Sequence, residues 1–150
     1  MRKIIVAVVF LALTVVSATA QQRKYIVNPR PADTKALPFS DAVLVGNTLF
    51  LSGTIGLDPK TGQAAGDPEE EAKAVMESMK KTLDNAGFTM EDLVQVQVFC
   101  TDLKFYDAFN SVYKTYFKTD FPARAFIGVD KILRNGRYEV MGIAVKKPAQ

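Results

Sequence analysis

The segment DPEEEAKAVMESMKKTLDNAG, from Asp67 to Gly87, constrains the fold more than any other stretch of the chain. Asp67 is a helix cap, Pro68 suits the first helical position, and Glu70 completes a capping box while placing negative charge at the positive end of the helix dipole. Ala72, Val75, Met76, Met79, Leu83 and Ala86 then recur at spacings of three and four, and Gly87 can end the helix. A helix with one apolar stripe has to lay that stripe on a second layer of structure.

Strand-like runs on both sides supply that layer. DAVLVGNTLFLSG (41–53) holds two β-rich runs around Gly46-Asn47, a tight-turn pair in which both residues tolerate positive φ. LVQVQVF (93–99) alternates apolar and polar residues as a half-buried strand does. A second helix is predicted over Phe105 to Lys118, with Ala108, Phe109, Val112, Tyr113, Tyr116 and Phe117 on the side that packs in the core or against another subunit. Two further runs, Arg124 to Val129 and Tyr138 to Lys146, flank the turn-forming Asn135-Gly136. The predicted order is β-β-α-β-α-β-β, an α+β fold of one sheet with two helices packed on one face. The last two strands are expected to be neighbours.

The first twenty residues read as a secretory signal peptide: Arg2 and Lys3 precede an apolar run from Ile4 to Val16, and Ala18-Thr19-Ala20 forms a small-residue cleavage site. The expected domains are thus a signal peptide at 1–20, a polar, proline-bearing and irregular leader at 21–37, and one folded domain at 38–147. The expected location is the periplasm or the exterior, with no stable membrane association once the peptide is cut after Ala20. Without Arg2 and Lys3, 17 basic residues face 16 acidic ones, a charge of +1 that gives no reason to expect a nucleic-acid partner. The chain has no histidine, which excludes histidine-based triads and His/Cys metal sites, so acid-base chemistry falls to carboxylates, Lys, Tyr, Cys or water. Cys100 is the single cysteine, has no internal disulfide partner, and reads as a buried small hydrophobe.

The candidate chemistry centres on Arg124 and Glu139, charged residues set in apolar strand-like runs. Arg124 has three readings: a salt bridge to Glu139, a strand-end cation in solvent, or a planar fork that grips a ligand carboxylate through two parallel hydrogen bonds. FPAR at 121–124, LSG at 51–53, VFCTDLKFYDAFNSVY at 98–113 and EVMGIAV at 139–145 resemble the Rid family, also called YjgF or reactive intermediate deaminases, over roughly Pro38 to Lys146.

The resemblance implies a chorismate-mutase-like fold, a homotrimer with clefts between subunits, and hydrolysis of 2-imino acids or their enamine tautomers to 2-keto acids and ammonia without metal or organic cofactor. By motif, Arg124 corresponds to the residue that holds the substrate carboxylate. Glu139 and the main-chain carbonyl of Phe126 correspond to the groups that position the attacking water. Ser52 and Asn110 fall at cleft positions. Non-catalytic binding of a carboxylate ligand by the same arginine is the alternative. Endoribonuclease activity, attached to some relatives, fits poorly with a near-neutral mature chain that lacks histidine. The lining departs from the family pattern: Phe39 after Pro38 stands for a tyrosine, Leu37 for a glycine, Ala125-Phe126 for Ser-Cys, Met141 for a second carboxylate, and Thr54 and Gly56 for glutamine and proline. The Phe126 ring is expected to shrink or reshape the cleft.

Overall fold

The computed structural model describes residues 22–30, 37–58 and 61–146. Within them the order is β1 (Arg23–Ile26), β2 (Ala42–Val45), β3 (Thr48–Ile55), α1 (Pro68–Ala86), β4 (Leu93–Cys100), α2 (Tyr106–Tyr113), β5 (Ala123–Gly128) and β6 (Tyr138–Val145). The strands form one sheet in the order β1-β2-β3-β6-β4-β5, antiparallel throughout except for the β4–β5 pair. Both helices cover the same face, which makes the fold α+β as the pattern predicts.

Local signals account for the elements nearest the core. Val45 pairs with Thr48 across Gly46-Asn47, and Gly46 takes φ 62°, a conformation open to glycine without steric cost. Asp67 accepts from the Glu69 and Glu70 amides at 2.8 and 3.0 Å, and Gly87 ends α1 in the left-handed conformation. The α1 stripe is buried: Ala72, Val75, Met76, Met79 and Leu83 meet Leu49, Leu51, Val96, Val98, Val140 and Ala144 of the sheet. Each such large aliphatic side chain contributes about 1.5–3 kcal/mol on burial. Cys100 lies buried as expected, its thiol donating to the Asp102 carbonyl, and burial raises its pKa.

Four features differ from the sequence reading. Part of the leader is a strand: Arg23–Ile26 pairs with β2 and buries Ile26 alone, too short a run to show a period. The Asn28 amide and the Arg30 guanidinium, both donating to Asp41, fasten it. The second helix is shorter than Phe105–Lys118: α2 ends at Tyr113 and gives way to a 3-10 turn at Lys114–Tyr116, where the Thr115 hydroxyl donates to the Val112 carbonyl and competes with helical pairing. The last two strands are not neighbours, because β4 lies between β5 and β6. The helical crossover through α2 sets β5 parallel to β4 at the sheet edge and leaves the central place to β6. Finally, Glu71, in phase with Val75 and Met79 on α1, is fully buried; it accepts from the Arg137 and Tyr138 amides and from Arg137 Nη1 at 2.8 Å. The signal-peptide reading at 1–20 lies outside the described residues, as do Gln21, residues 31–36 of the leader and the last residue of the 38–147 domain.

Candidate functional site

Alternation along β5 points Arg124 and Phe126 to the helix-covered face, in register with the buried Val96 and Val98 of β4. Because β5 is an edge strand, Arg124 is only half-buried and meets the flank of α2. Its guanidinium carbon stands 4.5 Å from the Tyr113 ring centroid, 5.8 Å from that of Phe126 and 5.9 Å from that of Tyr106. Rings at these distances orient a cation without satisfying its N–H donors. The ion pairs among the described residues are Arg30–Asp41, Lys104–Asp102 and Arg137–Glu71, so Arg124 holds no carboxylate among the described residues.

Beside Arg124 opens a cleft of about 350 Å³, walled by Tyr106, Asn110, Tyr113, Phe121 and Pro122, with Lys114 at its margin. Asn110 and Tyr113 share a helix face by their spacing of three, which brings the predicted Asn110 to the predicted Arg124. The Tyr113 hydroxyl is the buried side-chain polar atom without a hydrogen-bond partner among the described residues. Burial raises its pKa from 10.0 to about 12, with Arg124 acting in the opposite direction, so the phenol stays protonated at neutral pH. The Phe126 ring turns beneath α2, edge-on to Phe109 at 5.6 Å and to Tyr106 at 4.9 Å. It is therefore not among the residues that line the cleft, and it bears on the cleft through Tyr106, which it backs.

The other predicted residues lie elsewhere. On β6, Tyr138 and Val140 face the helices, so Glu139 between them faces away, opposite Phe99 of β4 and Ile55 of β3. Arg124 and Glu139 thus occupy opposite faces of the sheet, which rules out a salt bridge between them within one chain. A Cβ at Gly53 would overlap the Glu139 carboxylate, so the glycine at the β3 bulge is what gives that side chain its room. Ser52 donates from its hydroxyl to the Ser40 carbonyl at 2.7 Å and from its amide to the Asp41 carbonyl at 3.0 Å. Its strand is three spacings from β5, roughly 14 Å across the sheet. Phe39 is exposed just ahead of β2 and is no part of the Arg124 cleft.

The sequence reading missed Tyr106, Tyr113, Lys114 and Phe121 as cleft residues. Phe121 sits inside the FPAR motif, and Tyr113 follows Asn110 by three, so both signals were present; Tyr113 was assigned to packing and Phe121 was given no role of its own. Among the described residues no group of three or more His, Cys, Asp or Glu side chains is placed to hold a metal ion.

The model of the family described as Endoribonuclease L-PSP matches residues 30–146. A human protein named 2-iminobutanoate/2-iminopropanoate deaminase is 38% identical over 112 residues, covering 74% of this chain and 82% of that one. A candidate endoribonuclease from Thermotoga maritima has a solved structure with TM-score 0.75 and 40% identity, over 83% of this chain and 99% of its own. The E. coli protein TdcF, solved with bound serine, is 29% identical with TM-score 0.74, over 83% of this chain and all, 100%, of its own.

Proposed function

The chain belongs to the Endoribonuclease L-PSP family, the YjgF or Rid proteins, and from that premise we propose that it hydrolyses 2-imino acids, or their enamine tautomers, to 2-keto acids and ammonia. The observation that carries the reading is Arg124: a guanidinium oriented by rings, opening on a cleft with Asn110, and unpaired by any carboxylate among the described residues. Relatives named as imine deaminases, and one solved with an amino acid bound, fit a ligand that carries an α-carboxylate.

In this reading Arg124 holds the substrate carboxylate through two parallel, charge-assisted hydrogen bonds. The protonated imine carbon is already electrophilic, so the protein has to orient it and direct a water at it. The water oxygen bonds to that carbon, and its proton passes to the Glu139 carboxylate. The electron pair of the C=N bond moves onto nitrogen as the C–O bond forms, and Glu139 then protonates that nitrogen. As the C–N bond breaks, the new hydroxyl gives its proton to Glu139, which passes it to solvent, and a keto acid and ammonia remain. The Phe126 carbonyl accepts a hydrogen bond from the same water.

Since Arg124 and Glu139 lie on opposite sheet faces, Glu139 comes from another copy of the chain. The helix-free face favours such an assembly, because Tyr25, Phe50 and Ile127 are exposed there beside the half-buried Val43, Phe99, Met141 and Ile143. A homotrimer is the proposed form. The signal-like residues 1–20 favour export, with cleavage after Ala20 and function in the periplasm or outside the cell. Ligand binding without turnover is the second reading, favoured by the separation of Arg124 from Glu139 in a single chain.

The test is ammonia release from 2-iminopropanoate generated in situ from alanine by an amino-acid oxidase, with the mass of the assembly measured by light scattering. The expected result is a trimeric mass, turnover above the buffer rate, and a loss of about a hundredfold to a thousandfold in kcat/KM for Arg124→Ala. Carboxylate binding without turnover would select the second reading.

A further inference from the structure

We propose that the Arg124 cleft selects 2-imino acids whose side chain is aromatic. This rests on the reading of Arg124 as the carboxylate anchor and names the class of substrate. Once the carboxylate lies on Arg124, the rest of the ligand meets the rings of Tyr106, Tyr113 and Phe121 together with Pro122, beside the polar Asn110 and Lys114. Tyr106 and Phe121 are 43% and 59% exposed, although both adjoin aromatic rings of the interior. Open aromatic surface beside an anion anchor, with no acidic residue in the lining, is complementary to a ligand that joins a carboxylate to a ring.

The walls are braced from behind. Phe121 stacks on Tyr113 at 6.3 Å with 21° between planes, and meets Phe117 edge-on at 5.7 Å. Tyr106 rests edge-on against Phe126 at 4.9 Å, which gives the Phe126 ring a function as a prop for the cleft wall. Braced rings lose little conformational freedom when a ligand ring packs on them, so the contact energy is retained. The 350 Å³ of the cleft sits at the lower end of the roughly 300–1,000 Å³ typical of drug-sized sites. A phenyl group two carbons beyond the carboxylate carbon offers these walls a ring to pack on, which a three- or four-carbon imino acid lacks.

The experiment compares kcat/KM for the imines made in situ from phenylalanine and from alanine, in the wild type and in Phe121→Ala. The expected ratio favours the phenylalanine-derived imine by about tenfold or more, and falls toward unity in Phe121→Ala. A wild-type ratio at or below unity, as would follow if a second copy of the chain covered Phe121, overturns the inference and leaves the deaminase reading standing. So does a ratio unmoved by Phe121→Ala. If neither imine decays faster than in buffer, the deaminase reading fails and this inference fails with it.

Discussion

Two arginines, thirteen positions apart in the sequence, are treated in opposite ways by the fold. Arg137 is satisfied within the chain: its Nη1 donates to Glu71 and to the Ala65 carbonyl, and its Nη2 to the Gly66 carbonyl, each at 2.8 Å. Those bonds tie the loop ahead of α1 to the start of β6. Arg124 has rings around it and no ion pair among the described residues. A cation whose donors are used up stabilises a fold, while one held in place with its donors open can take a ligand. Both are half-buried charges near the end of the chain, so burial alone does not separate them; the identity of their partners does.

That contrast breaks most visibly at Glu71. Glu71→Ala leaves two amides and a guanidinium without their buried acceptor, and is expected to lower the unfolding free energy by about 3–5 kcal/mol in a denaturant titration. Glu71→Gln keeps one acceptor and should lose less. Arg124→Lys keeps the charge but not the planar fork. It is expected to lower kcat/KM by about tenfold to a hundredfold while the unfolding free energy stays within about 1 kcal/mol of wild type. A large stability loss there would mean that Arg124 is a second structural arginine.

The smallest expected effects belong to Tyr113, the platform on which Arg124 rests. Tyr113→Phe keeps the ring and removes a buried hydroxyl that has no partner among the described residues, so a gain of about 1 kcal/mol in stability is expected. Its raised pKa gives a check with a definite sign. The folded state holds the phenol proton more tightly than the unfolded state, so the contribution is complete below pH 10.0 and is lost as the pH rises to about 12. Tyr113→Phe should shed part of the alkaline decline in stability. Tyr116, Tyr138 and Cys100, whose pKa values burial also raises, contribute in the same direction.

Much of this molecule was legible in the order of its residues. The α1 caps, the Gly46-Asn47 turn and the alternation of β4 are local signals, each decided by side chains within a few positions of one another. Arg124 and Asn110 were recognisable from FPAR and from the run before it, and they do share a cleft. The strand at Arg23–Ile26 was hidden because its stability comes from pairing with β2 and not from its own pattern. The Glu71–Arg137 pair joins residues 66 positions apart; an acid in phase with an apolar stripe was its one trace. Ser52 and Phe39 share sequence motifs with the site residues, but the strand order keeps them away from the Arg124 cleft.

The sequence by itself determined the helices, most of the strands, the α+β class, and an arginine suited to a carboxylate. Tertiary structure alone decided that Arg124 and Glu139 face opposite sides of the sheet. Alternation sets the relative face of residues within one strand, but these two stand on β5 and β6 with β4 between them. Their relation depends on the register of two non-local pairings and on the crossover that sends β5 to the edge. Spacing along the chain carries neither, because hydrogen-bonded register is a property of strands brought together.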